Sequence, residues 1–155
     1  MTTRGSKNPE PLRVVFTKSL DLPSKSNLWD CDEAKTIVIY DSSTADESYL
    51  TRIPKCVEVE KVSSDNPELI SKILAKRGCN KVLWECGPRL ATAAIQSNCI
   101  QEIITFIAPK ILGGENNMNP FGDFEFKEMD EIIKLSNSQF SLIGNDICVM
   151  SSFKK

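Results

Sequence analysis

Apolar positions along the chain follow two periodicities. Arg13–Thr17 (RVVFT) and Thr36–Tyr40 (TIVIY) are short β-branched runs that read as strands, and the continuous hydrophobicity of the second fits a sheet covered on both faces. Cys56–Val62 (CVEVEKV) alternates, as expected of a more exposed strand toward a sheet edge. Asn66–Arg77 (NPELISKILAKR) changes to helical spacing, with Leu69, Ile70, Ile73 and Leu74 on one stripe. Asn66 is placed to cap this helix, Pro67 to take its first position, Glu68 to face its dipole and Gly78 to stop it. Met1–Pro11 is a polar lead-in, while Ser19–Asn27 with Pro23 and Asp41–Glu47 read as loops.

The stretch from Lys81 to Gly114 (KVLWECGPRLATAAIQSNCIQEIITFIAPKILGG) is the most informative. Lys81–Glu85 predicts a buried strand, Cys86-Gly87-Pro88 a turn, Arg89–Ser97 a helix with Pro88 at its first position, and Glu102–Ala108 a second strand. That order predicts a βαβ unit with its two strands parallel. The alternation from Cys56 to Ala108 as a whole predicts a three-layer α/β domain. Beyond the polar loop Glu115–Asp123, strand-like runs lie around Phe124–Phe126, Ile132–Ser136 and Ile147–Phe153, with Gly144-Asn145-Asp146 as a tight turn before the last. These are expected to be antiparallel, which makes the sheet mixed and mostly parallel.

Candidate chemistry gathers at the Gly87 turn. Free backbone N–H groups at a helix start and the positive end of its dipole favour an anion, and a glycine lets that anion approach the backbone. Many βα turns contain glycine and bind nothing, so the pattern alone leaves both readings open. Glu85 favours the ligand reading, because a carboxylate at the end of a buried strand sits at the rim where open α/β sheets bind ligands. Cys86 at the helix start is expected to have a lowered thiol pKa, yet no base is placed to activate it.

Composition narrows the classes. The chain has 155 residues, 41% hydrophobic, with net charge −2, enough for one domain with a core and without the basic clusters of a nucleic-acid binder. No apolar run approaches a membrane span and the N-terminus lacks a signal-peptide core, so a soluble, cytoplasmic protein with no membrane partner is expected. Histidine is absent, which excludes the usual zinc sites and His-dependent triads, and no metal is expected. The six cysteines form no C-x-x-C pair and are expected to be small core residues rather than a disulfide framework.

The run VLWECGPRLATAAIQSNCIQEIITFIAPKILGG resembles the reductase domain of the bifunctional riboflavin-biosynthesis deaminase/reductase, in which a strand, E-x-G-P-x-L, a helix, D/E-E and A-P-K-x-L-G-G follow in this order. Thr2-Thr3-Arg4 is similar to the family's L-T-x-R, and Pro11-Leu12-Arg13-Val14-Val15 to its P-x-R-V-V. The resemblance implies a dihydrofolate-reductase-like fold and NADPH-dependent reduction of 5-amino-6-(5-phosphoribosylamino)uracil to its ribityl counterpart. It also implies that Arg4 and Glu85 bind substrate, Arg4 through the phosphate. Gly87, Pro88, Arg89, Leu90, Ala91, Thr92 and Ala93 would form the cofactor's pyrophosphate loop and helix start. The family's Asp-Ser near the cofactor 2′-phosphate is Thr17-Lys18 here, so Lys18 either meets that phosphate or is an ordinary solvated charge. Cys86 stands where the family usually has Gly or Ala.

The family's opening strand-helix-strand block, with its S-x-D-G and D-D-P motifs, has no counterpart in these residues. Residues 1–155 are therefore expected to be a single domain equivalent to the C-terminal part of that reductase domain, and a homodimer is expected. The alternative is a non-catalytic nucleotide-binding or oligomerisation domain.

Overall fold

The computed structural model of the chain describes residues 11–113 and 119–154. They fall into two compact units, Met1–Asp65 and Asn66–Lys155. Among the described residues no helix is long and apolar enough to cross a membrane.

The first unit is a parallel sheet of β1 (Arg13–Thr17), β2 (Thr36–Asp41) and β3 (Glu58–Val62) in that order, with Val15 opposite Val38 and Val38 opposite Val59. β2 is the middle strand and is buried at every position, as its unbroken apolar run predicts. The crossovers carry single 3₁₀ turns, Asn27–Trp29 capped by Ser26 and Glu47–Arg52 capped by Asp46. These place Trp29, Leu50 and Ile53 against a core of Leu20, Val38, Tyr40 and Val57. Arg13, 6% exposed, donates from Nη1 to the carbonyls of Asn27 (2.7 Å) and Leu28 (3.1 Å) and so fastens the first turn to β1. Tyr40 donates its hydroxyl to Glu47 Oε1 at 2.7 Å, which fastens the second.

The cysteine expectation is corrected in this unit: Cys31 and Cys56 form a disulfide. Each precedes one of two neighbouring parallel strands, so both lie at the same end of the ladder. That proximity is a product of topology and has no signature in their 25-residue spacing.

The second unit begins with α1 (Pro67–Lys76). Asn66 Oδ1 accepts the Glu68 N–H at 2.9 Å, and Pro67 takes the first position as expected. Ile70 and Leu74 are fully buried, and Leu69 and Ile73 are half-buried. Gly78 at φ +83° ends the helix, with the Cys79 N–H reaching back to the Leu74 carbonyl at 3.0 Å. α2 (Pro88–Gln96) ends in the same way at Asn98, φ +53°, one of the few residue types besides glycine that adopts the left-handed region readily.

β4 (Glu102–Ile107), β5 (Leu135–Ile143) and β6 (Asp146–Phe153) form an antiparallel sheet in the order β4-β6-β5. The β5–β6 turn places Gly144 at φ +62° in the first central position, as a type II′ hairpin requires. Asn137, φ +53°, marks an irregularity in the register between Ser136 and Gln139.

The chain is therefore an α/β protein with parallel strands and antiparallel C-terminal strands, in agreement with the sequence pattern, but among the described residues they form two three-stranded sheets rather than one mixed, mostly parallel sheet. Three local expectations are corrected. Lys81–Glu85 has no regular secondary structure and joins no ladder among the described residues, and Leu83 is 70% exposed where a buried strand was expected. Strand-forming residues gain a ladder only where a neighbour offers N–H and C=O groups, and β4 pairs with β6 instead. The expected parallel βαβ unit is therefore not formed among these residues, and Phe106 of β4 is 59% exposed. Phe124–Phe126 is not a strand: the rings of Phe124 and Phe126 stack with centroids 5.2 Å apart, and Phe121 lies tilted against Phe124 at 6.2 Å. The final hairpin pairs Leu135–Ile143 rather than a strand around Ile132–Ser136.

Candidate functional site

Pro88 at the first position and Gly87 before it set the start of α2. Gly87 is extended (φ −71°, ψ 170°) and gives the helix no side-chain cap. The N–H groups of the first turn thus keep their hydrogen-bonding capacity for an outside acceptor. No carboxylate lies in that turn, while Arg89 does, and a cation is disfavoured at the positive end of a helix unless an anion joins it. A Cβ built at Gly87 would meet nothing within 4 Å, so the approach to the helix start is open. An uncapped start, an open approach and a guanidinium together fit a phosphate-bearing group.

Of the sequence-predicted residues, Gly87, Pro88, Arg89, Leu90, Ala91, Thr92 and Ala93 all lie within the start of α2, and Glu85 precedes them by two positions. Gly87 and Arg89 are exposed, Pro88, Leu90, Ala91 and Ala93 half-buried, and Thr92 buried. Thr92 Oγ1 accepts the Gly122 N–H at 2.9 Å, and Pro88 O receives the same N–H at 3.3 Å. The hydroxyl therefore holds the segment around Phe121 and Gly122 against the first turn of α2. Nothing in the sequence around Thr92 signals this contact, which spans 30 residues.

Glu85 is exposed, so the desolvation argument made for it from a buried strand does not apply. Cys86 is half-buried, and burial pushes its thiol pKa up rather than down, correcting the expected activation by the helix start. At neutral pH it is a thiol.

Lys18 belongs to the first unit. It follows β1 and forms an ion pair with Asp65, both side chains about half-exposed. Its carbonyl accepts the Thr44 hydroxyl at 2.9 Å. Asp41, the last residue of β2, accepts the Ser43 N–H at 2.9 Å and the Ser43 hydroxyl at 2.7 Å. Those Ser43 hydrogen bonds hold its carboxyl below the usual range, with the Lys18 charge a lesser contributor. Ser42 Oγ donates to the Val62 carbonyl at 2.9 Å. The carboxyl ends of the three parallel strands thus carry a bound set of hydroxyls and charges, the position where open α/β sheets take ligands. Sequence reasoning singled out Lys18 there and passed over Asp41 and Ser43. The available signal was D-S-S-T directly after an apolar run, an Asx-turn pattern. Arg4 lies outside the described residues.

Residues 1–149 match the RibD C-terminal domain family. The chain belongs to that family. The Riboflavin biosynthesis protein PYRR, chloroplastic, of Arabidopsis thaliana is 37% identical over 149 residues, covering 96% of this chain and 25% of that protein. Riboflavin biosynthesis protein RibD of Synechocystis is 39% identical over 148 residues, 94% of this chain and 40% of that protein. The 2,5-diamino-6-ribosylamino-4(3H)-pyrimidinone 5′-phosphate reductase of Archaeoglobus fulgidus is 26% identical over 154 residues, 98% of this chain and 67% of that protein. Among solved structures, Acinetobacter baumannii RibD superposes with a TM-score of 0.74 at 19% identity over 94% of this chain and 38% of that one, a likeness of fold. This RibD C-terminal domain thus spans a quarter to two-fifths of the PYRR and RibD relatives, and its fold class is the dihydrofolate-reductase-like one expected from the motifs.

Proposed function

We propose that this RibD C-terminal domain takes part in NADPH-dependent reduction of 5-amino-6-(5-phosphoribosylamino)uracil to 5-amino-6-(5-phosphoribitylamino)uracil in riboflavin biosynthesis. The observation that carries the reading is the start of α2, uncapped at Gly87, open above it and bearing Arg89. It is joined to membership in a family whose relatives are named for riboflavin biosynthesis and for a ribosylamino-pyrimidinone phosphate reductase.

Gly87 to Ala93 would hold the cofactor pyrophosphate, with first-turn N–H groups and Arg89 meeting its charge. Thr92 contributes by fixing the Gly122 segment against that turn. Glu85 and Arg4 would bind substrate, and Lys18 would meet the 2′-phosphate of NADPH, exchanging its exposed Asp65 partner for a doubly charged one. NADPH supplies the hydride when bound. The protein's part is to hold donor and acceptor in contact, which calls for no general-acid constellation.

The proposal takes the chain as one reductase domain, cytoplasmic and homodimeric. Phe140 and Leu142 of β5, an edge strand, are 72% and 76% exposed, which supports self-association, and a monomer at micromolar concentration in sedimentation would contradict it. Turnover is tested by NADPH consumption with the phosphoribosylamino-uracil and, separately, with the 2,5-diamino-pyrimidinone counterpart. Consumption with the uracil compound is expected. NADPH binding without turnover of either would favour the non-catalytic nucleotide-binding alternative.

A further inference from the structure

Cys31 and Cys56 are bonded with their Cα atoms 6.3 Å apart, closing a span of 25 residues that contains all of β2 and the Glu47–Arg52 turn. Cys31 packs against the core of Leu20, Val38, Tyr40 and Val57, whereas Cys56 is exposed. A reagent in solution can therefore reach the bond from the Cys56 side. The chain neighbours of Cys56, Lys55 and Val57, line an open groove of about 530 Å³, together with Leu50, Ile53 and Pro54 and with residues of β2 and β3. The 47–57 side of the groove contains no strand and no α-helix, only a six-residue 3₁₀ turn and an irregular segment, whereas Tyr40 of β2 and Val59 and Lys61 of β3 line the other side. The covalent link adds to the Tyr40–Glu47 hydrogen bond and to the packing of Leu50 and Ile53 against the core in constraining that segment, and cross-links that close loops of this length restrict the unlinked ensemble substantially.

We propose that Cys31–Cys56 is a reversible thiol–disulfide switch that sets the order of the 47–57 wall and the stability of the first unit. In the reducing direction a dithiol is the reductant. Its thiolate attacks one sulfur, the S–S bond breaks, and a mixed disulfide and one cysteine thiolate form. The second thiol of the reagent then displaces the other cysteine. Two electrons and two protons pass to Cys31 and Cys56, and the dithiol leaves as its cyclic disulfide. A disulfide-bearing oxidant runs the same steps in reverse.

The remaining cysteines, Cys79, Cys86, Cys99 and Cys148, are free, so the switch has a distinct thiol count. The test is alkylation of the full chain after unfolding, with and without prior treatment with dithiothreitol, followed by peptide mapping. Four labelled cysteines before reduction and six after are expected, with Cys31 and Cys56 as the added pair. Reduction should lower the melting temperature by about 6–12 °C and open the 47–57 segment to proteolysis. Removal of the dithiol and treatment with oxidised glutathione should restore both. Cys31→Ser should melt as the reduced protein does and no longer respond to dithiothreitol. If that variant fails to fold, the wild-type reduction and reoxidation series alone decides. Six labelled cysteines without reduction, a melting temperature indifferent to dithiothreitol, or a bond that does not re-form would overturn the proposal. Both readouts are taken without cofactor or substrate, so the outcome is independent of the reductase reading.

Discussion

Replacing Thr92 with valine keeps the volume of a buried side chain and removes the oxygen that accepts the Gly122 N–H at 2.9 Å. Gly122 then has only the Pro88 carbonyl at 3.3 Å, a longer contact. One hydrogen bond contributes about 0.5–1.5 kcal/mol net, and an acceptor lost in a buried setting adds part of a desolvation cost, so the loss should be about 1–2 kcal/mol. For a chain of this size that lowers the melting temperature by about 2–8 °C. The sharper readout is local: the Gly122 amide should exchange with solvent about 5–30-fold faster, while amides of α1 keep their protection. Thr92→Ser is the control, because it retains the oxygen and loses one methyl group, about 0.8 kcal/mol. It should lower stability with little change at Gly122. Unchanged exchange at Gly122 in Thr92→Val, or faster exchange in Thr92→Ser than in Thr92→Val, would refute the role assigned to the hydroxyl.

Gly87→Val should leave the fold intact, since the added side chain meets nothing and the backbone is extended, with a cost near about 1 kcal/mol for the poorer helix cap. It should nevertheless weaken NADPH binding by about tenfold or more, and an unchanged dissociation constant would sink the α2 site. Asp41 has its folded-state pKa lowered, so its contribution to stability is present above the ordinary carboxylate pKa and is lost as pH falls through the folded value. In urea titrations from neutral to below about pH 4, Asp41→Asn should show a shallower acid loss than wild type, and parallel curves would contradict the assignment. Tyr40 has its pKa raised, first by its hydrogen bond to Glu47, so that contribution holds below about pH 10 and is lost as pH rises through the higher folded value. Tyr40→Phe should lower neutral-pH stability by about 1 kcal/mol, Glu47 being exposed, and should flatten the alkaline loss.

Elements whose cause is local were legible in the sequence. Asn66-Pro67 and Gly78 start and stop α1, Pro88 starts α2, and TIVIY is the middle strand because only a strand covered on both faces is apolar throughout. Features that depend on distant partners were not. KVLWE has strand composition, but a ladder needs a neighbour, and no property of five residues reveals whether one is present. Leu135–Ile143 was read short because its polar residues Ser136, Asn137 and Ser138 mask a strand stabilised by β6 across the Gly144 turn. The Cys31–Cys56 bond follows from two parallel crossovers, and the Thr92–Gly122 contact joins a helix to a loop 30 residues away. In the candidate site the Gly87 turn was legible through motif and helix-start chemistry together. Glu85 and Cys86 were assigned environments that only a laddered strand and an exposed thiol would have produced.

The most direct test of the central claim is calorimetric titration of the 155-residue chain with NADPH, with NADH as the comparison and circular dichroism to establish that the chain is folded. Micromolar binding of NADPH, tighter than that of NADH and weakened by Gly87→Val, is the result predicted for a pyrophosphate site at the start of α2 and a 2′-phosphate partner at Lys18. A folded chain that binds neither dinucleotide would contradict the account.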